Sequence, residues 1–325
     1  MTPFQAGGAG SDAREGGTRH AASGGRMAFV ESPTEARNPR TLDIDTLSTA
    51  EVLRRIADED ALVPAAVAAA VPELARAVDL AVGALRGGGR LHYFGSGTSG
   101  RIAAQDAAEL PPTFGVEPEL VVAHHAGGVG ALLRATEGVE DDEAQGARDA
   151  AEVTGADLAV GLAASGRTPY VAGALRTAAR AGAPTVLLTA NPAAELGRSV
   201  DVLVALDTGP EVLAGSTRMK AGSAQKMALN AFSTAVMIRL GRTYSNLMVA
   251  MNATNAKLRG RAVTMLAQAS GAGLDACADV LERSGGDTRV ALVSLLAEVP
   301  VEAAAEAVGA AGGSVRAALR RLVEP

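Results

Sequence analysis

Short apolar runs recur through the middle of the chain, each followed by a turn of small or hydroxyl-bearing residues and then by an Ala-rich stretch with helical spacing. The runs are RLHYFGSG from 90, LVVAHHAG from 120, DLAVGLAASG from 157, PTVLLTAN from 184 and VDVLVALD from 200. Strand, loop and helix in repeated order predict an α/β fold, a doubly wound parallel sheet with flanking helices. Before the first run, Thr49 is the expected N-cap of a helix carrying Val52, Leu53 and Ile56, and one longer Ala/Val/Leu helix is expected over 64–86. After the last run comes a helical region over about 219–240. The end of the chain, LDACADVLERS, TRVALVSLLAEV and SVRAALRRLV, reads as three short helices forming a small C-terminal helical domain. Residues 1–26 are rich in Gly, Ser and charge with little to bury, and are expected to form a disordered tail in which Met27 is an alternative start. The resulting division is a tail at 1–30, a main domain at 31–262 with its N-terminal helices, and a helical domain at 263–325.

Composition narrows the chemistry. The 325 residues are long enough for a substantial core, yet only 2% are aromatic, so that core must be built from Ala, Val and Leu. A net charge of -6 without a basic block argues against nucleic acid and anionic membranes as partners. A small ligand is expected. Cys277 is the single cysteine, which excludes an internal disulfide and a four-cysteine zinc site, and His20, His92, His124 and His125 lack the spacing of a metal-binding helix. No metal or other cofactor is expected. With no apolar run of about 18 residues and no signal segment, the expected setting is cytoplasmic.

Two stretches, GSGTSGR at 95–101 and AASGRTPY at 163–170, stand where a strand gives way to a helix. Ser96, Thr98 and Ser99 in the first, and Ser165, Arg167 and Thr168 in the second, offer hydroxyls, amides and a cation to an anion such as phosphate. Gly95, Gly97 and Gly100 satisfy a G-x-G-x-x-G spacing, but no ribose-binding acid follows at the usual distance, so a dinucleotide is rejected. In AGSTRMKAGSAQK at 214–226, Ser216, Thr217 and Lys220 lie at the start of the long helix, where a helix N-terminus and a cation would complete an anion site. Among acidic groups, Glu137 and Glu140 share a face if their segment is helical. Glu109 precedes Pro111 and Pro112, which should hinder continuation of its helix.

Together, TEARNP from 34, GSGTSGR, AELPPTFG, ATEGVEDD, LAASGRTPY, VLAGSTRMKAGSAQKMALN and YSNLMVAMNATNAKLRGRA closely resemble the N-acetylmuramic acid 6-phosphate etherases of the sugar isomerase (SIS) superfamily. The resemblance implies an SIS-type sheet, a homodimer whose sites can borrow residues across the interface, and cleavage of a C3 lactyl ether to give N-acetylglucosamine 6-phosphate and D-lactate in cell-wall sugar recycling. It also implies that Glu109 is the acid that protonates departing lactate and Glu140 the base at C2, with Glu137 the competitor. This chain departs from the family in AAELPP for ASECPP and in HHAGG for LIAGG, which puts His124 or His125 within reach of the pocket, although buried, satisfied histidines are the simpler reading. A silent sugar-phosphate sensor like the glucokinase regulatory protein would need neither Glu109 nor Glu140. An SIS aldose-ketose isomerase would lack the long etherase-like motifs.

Overall fold

A computed structural model describes residues 32–250 and 256–323. The predicted tail lies outside the described residues, as does Met27. Helix α1 (Thr49–Asp60) is capped one residue earlier than expected: Ser48 and Glu51 form a reciprocal capping box. The single helix expected over 64–86 is two, α2 (Val63–Ala69) and α3 (Val71–Arg86), because Pro72 lacks the amide that would continue the first into the second.

Five strands then form one parallel sheet in the order β2-β1-β3-β4-β5. They are β1 (Leu91–Gly95), β2 (Val121–His125), β3 (Leu158–Leu162), β4 (Thr185–Thr189) and β5 (Val202–Ala205). Side chains alternate between the faces, as the pleat requires. Leu91 and Tyr93 of β1 and Leu158, Val160 and Leu162 of β3 enter a core shared with α3 and α8 (Lys220–Arg239), whereas Phe94, Ala159 and Leu187 enter a second core under α7 (Pro169–Arg180). Between the strands lie α4 (Gly97–Phe114), α5 (Gly128–Leu133) and α6 (Glu143–Asp149).

Chain order reverses between β1 and β3, and crevices for ligands open beyond the carboxyl ends of the strands at such a switch point. Gly95 is in register with His125 on one side and Leu162 on the other, so the turns after β1, β2 and β3 begin next to each other. A buried carboxyl locks α4 in place: Asp106 accepts hydrogen bonds from Tyr93 of β1 (3.2 Å) and Ser233 of α8 (2.9 Å). Burial pushes its pKa up to about 6.

Beyond the sheet, α9 (Ala256–Ser270), α10 (Leu274–Arg283), α11 (Thr288–Ala297), α12 (Val301–Ala310) and α13 (Val315–Val323) pack around a core of their own that includes Leu266, Leu281, Leu292 and Ala304. Three helices were expected after 263; the Ala-rich VEAAAEAVGA adds α12, and α9 spans the 262/263 boundary. Among the described residues no single helix is long and apolar enough to cross a membrane.

Candidate active site

The turn after β1 makes one wall of a cleft of about 280 Å³. Ser96, in extended conformation, follows the strand, and Gly97 opens α4; both line the cleft, at a helix end whose first amides have no partner within the helix. Arg101, His125, Glu137 and Glu140 line the same cleft. The two glutamates do not share an α-helical face. Gly138, at φ 75°, turns the chain after Glu137, and Glu140 sits in a single 3₁₀ turn, Val139–Asp141. The turn nevertheless brings both carboxylates to one cavity. Arg101 fixes the neighbouring α5 by donating to the carbonyls of Leu132 (2.7 Å) and Ala131 (2.8 Å).

The three predicted anion-binding segments fare differently. Thr98 approaches the start of α8, where a Cβ on Gly222 would lie 3.2 Å from its methyl group. Ser99 is buried and donates to Gln225 Oε1 at 2.7 Å, a bond that ties α4 to α8 rather than leaving the hydroxyl free. In the second segment Ser165 Oγ accepts from the Arg167 amide (3.3 Å), and Asn191 donates to the Ser165 carbonyl (3.1 Å). Gly166, at φ 69°, allows this tight turn; a Cβ there would come within 2.3 Å of Ala194 Cβ. Thr168 caps α7 in sequence without a side-chain cap bond, and Arg167 lines a separate cavity of about 650 Å³ with Arg176 and Arg198.

The third segment holds Ser216, partly exposed, just before α8, but the anion site expected at this helix start is already filled. Buried Glu211 accepts from the amides of Lys220 and Ala221, each at 2.9 Å, so the protein's own carboxylate takes the helix N-terminus. Lys220 is fully buried and donates from Nζ to Glu59 at 2.7 Å. Glu59 is paired in turn with Arg40, and these cations, Arg40 foremost, hold its carboxyl at about 2 against the opposing effect of burial.

Glu109 stands apart. The helix that carries it does not stop at the prolines; α4 continues through Pro111 and Pro112 to Phe114, because Leu110 and Phe114 are buried in the core and hold the last turn. Twelve residues separate Gly97 from Glu109, which at 1.5 Å per residue places the exposed Glu109 roughly 18 Å along α4 from the cleft. One chain therefore unites Ser96, Gly97, Glu137 and Glu140 but not Glu109.

Residues 73–179 match the glucokinase regulatory protein N-terminal SIS domain, and residues 135–235 match the SIS domain. The chain is 65% identical over 270 residues to an N-acetylmuramic acid 6-phosphate etherase of Thermobifida fusca, covering 83% of this chain and 89% of that one. It is 49% identical to the enzyme of the same name from Pectobacterium atrosepticum, over 88% and 95% of the two chains. The chain belongs to this etherase family. Among solved structures, a phosphoheptose isomerase from Francisella tularensis aligns with 59% of this chain and all of its own, at 17% identity and a TM-score of 0.47.

Within this etherase framework the two unusual histidines part company. His125 lines the cleft; His124 does not, and instead forms a bond of 3.0 Å with His92. Burial, followed by the neighbouring His92, lowers the His124 pKa to about 4. His92, His124 and Glu152 each bring a ligand atom within 4.8 Å of the others. The two rings are stacked, 5.3 Å between centroids and 16° from parallel, and the 3.0 Å contact between His92 Nδ1 and His124 Nε2 is a hydrogen bond from one ring to the other. Sequence reading missed Glu211 and Glu59, whose roles depend on partners that only folding brings near.

Proposed function

We propose that this protein, a carbon-oxygen lyase of the etherase family, acts on N-acetylmuramate 6-phosphate in cell-wall sugar recycling, in the cytoplasm and as a homodimer. The observation that carries this reading is the cleft lined both by the start of α4 and by Glu140. The 6-phosphate sits against the amides after β1, with Ser96 and Thr98 beside it and the 165–168 turn and Ser216 around the sugar. Ser99 and Lys220 support the site from behind, through Gln225 and Glu59.

Opening of the sugar ring exposes a C1 aldehyde, which acidifies the hydrogen on C2. Glu140 takes that proton, the electron pair forms the C2–C3 double bond, and the C3–O bond breaks as Glu109 protonates the departing lactate oxygen. Water then adds at C3, and the proton returned to C2 completes the product. The acid comes from the partner protomer, since Glu109 lies about 18 Å along α4 from the cleft of its own chain. The cleft of about 280 Å³ is at the small end for a ligand site, which accords with a site that a second copy completes. The chain divides as 31–262, carrying the site, and 263–325, a helical unit.

Release of D-lactate from N-acetylmuramate 6-phosphate, with little or none from the unphosphorylated sugar, is the expected result; binding without lactate release would mark a silent sensor instead. Mixed dimers test the shared site. Glu109→Gln and Glu140→Gln proteins, each inactive, should regain about one quarter of wild-type activity when subunits are exchanged at random, because half the dimers then hold one intact site. No recovery after verified exchange contradicts a shared site.

A further inference from the structure

The cleft contains a histidine to which the mechanism assigns no task. His125 ends β2, is 7% exposed, and meets a main-chain carbonyl with each of its ring nitrogens: Nδ1 lies 2.8 Å from Ala126 O, and Nε2 lies 3.3 Å from Gly97 O. Carbonyl oxygens only accept. A neutral imidazole has one N–H, so it satisfies one carbonyl and turns a lone pair on the other; the imidazolium satisfies both. The ring is seated closely, since a Cβ on Gly100 would lie 2.5 Å from His125 Cδ2.

The longer of the two contacts falls on a peptide that matters. The carbonyl of Gly97 and the amide of Thr98 belong to one planar trans unit, so they point in opposite directions. A donor that holds Gly97 O also aims Thr98 N–H out of the first turn of α4, where the phosphate is placed. We propose that His125 is a positioning residue of this site, which holds the Gly97–Thr98 peptide where a phosphate binds. The proposal rests on the reading of the cleft given above.

The test is steady-state kinetics on N-acetylmuramate 6-phosphate. His125→Leu, which cannot donate to the Gly97 carbonyl, should raise KM about tenfold with kcat changed by less than about threefold, and His125→Gln, which keeps a donor, should recover most of that loss. A wild-type KM in folded His125→Leu, or a loss in His125→Gln as large as in His125→Leu, overturns the role of His125 while leaving the cleft assignment intact. Full activity in Glu140→Gln overturns both.

Discussion

Glu59→Gln isolates the buried pair behind the site. The substitution keeps the shape of the side chain but removes the charge opposite Lys220, whose side chain is fully buried, and opposite Arg40. The magnitude follows from linkage. Glu59 has a carboxyl held at about 2 against an ordinary 4.5, so ionised Glu59 contributes about 3 kcal/mol to stability near pH 7. That contribution is present above the unfolded value and is lost as pH falls through the folded one; at pH 3.5 about 2 kcal/mol of it remains. The uncompensated ammonium left in Glu59→Gln adds to the loss, as removal of one partner of a buried pair costs about 3–5 kcal/mol. The assay is urea denaturation of wild type and variant at pH 7 and 3.5, with thermal melts in parallel, where a drop of about 6 °C or more is expected. A difference below about 1 kcal/mol at pH 7, or one that grows towards pH 3.5, refutes the reasoning. The same variant should raise KM. Asn38 and Thr41 donate to the carbonyls of Pro210 and Val212, and the Gly215 amide donates to Thr34, so the segment anchored by Glu59 holds the loop that leads into α8.

Asp106 should behave in the opposite sense: its pKa is raised to about 6, so its contribution is fully present below about pH 4 and lost as pH rises through 6, a swing of about 3 kcal/mol. Asp106→Asn should therefore flatten the decline in stability between pH 4 and 8, as read by urea midpoints. Gly166→Ala forces a side chain into a φ of 69° against Ala194; it should cost about 1–3 kcal/mol and raise KM more than it lowers kcat. Glu140→Gln should reduce kcat by roughly 10²-fold or more, and Glu137→Gln by much less, in rates of D-lactate release.

The parallel sheet was legible because each strand is a short, mostly apolar run followed by small or polar turn residues, and the fully buried β1, β3 and β4 leave that signature most strongly. The turns after β1 and β3 were legible for a related reason, since small and hydroxyl-bearing residues cluster where a strand feeds a helix. Lys220 was not. Its neighbours Ser216, Thr217 and Arg218 make the segment read as an open cationic loop, and nothing local reveals that Glu59, 161 residues away, meets it in the interior. Glu211 was hidden in the same way, nine residues before the amide it caps. The prolines misled in the other direction: local chemistry argues for a helix end after Glu109, but burial of Leu110 and Phe114 outweighs two lost backbone bonds. The separation of Glu109 from the start of α4 is a matter of helix length, visible once α4 is seen to run unbroken from Gly97 to Phe114.

The most direct test of the elimination is to run the reaction in deuterated water and examine C2 of the N-acetylglucosamine 6-phosphate formed. Abstraction by Glu140 followed by hydration predicts one solvent deuterium at C2 for each D-lactate released, and loss of both in Glu140→Gln. Product that carries its original C2 hydrogen alongside full D-lactate release would contradict the account.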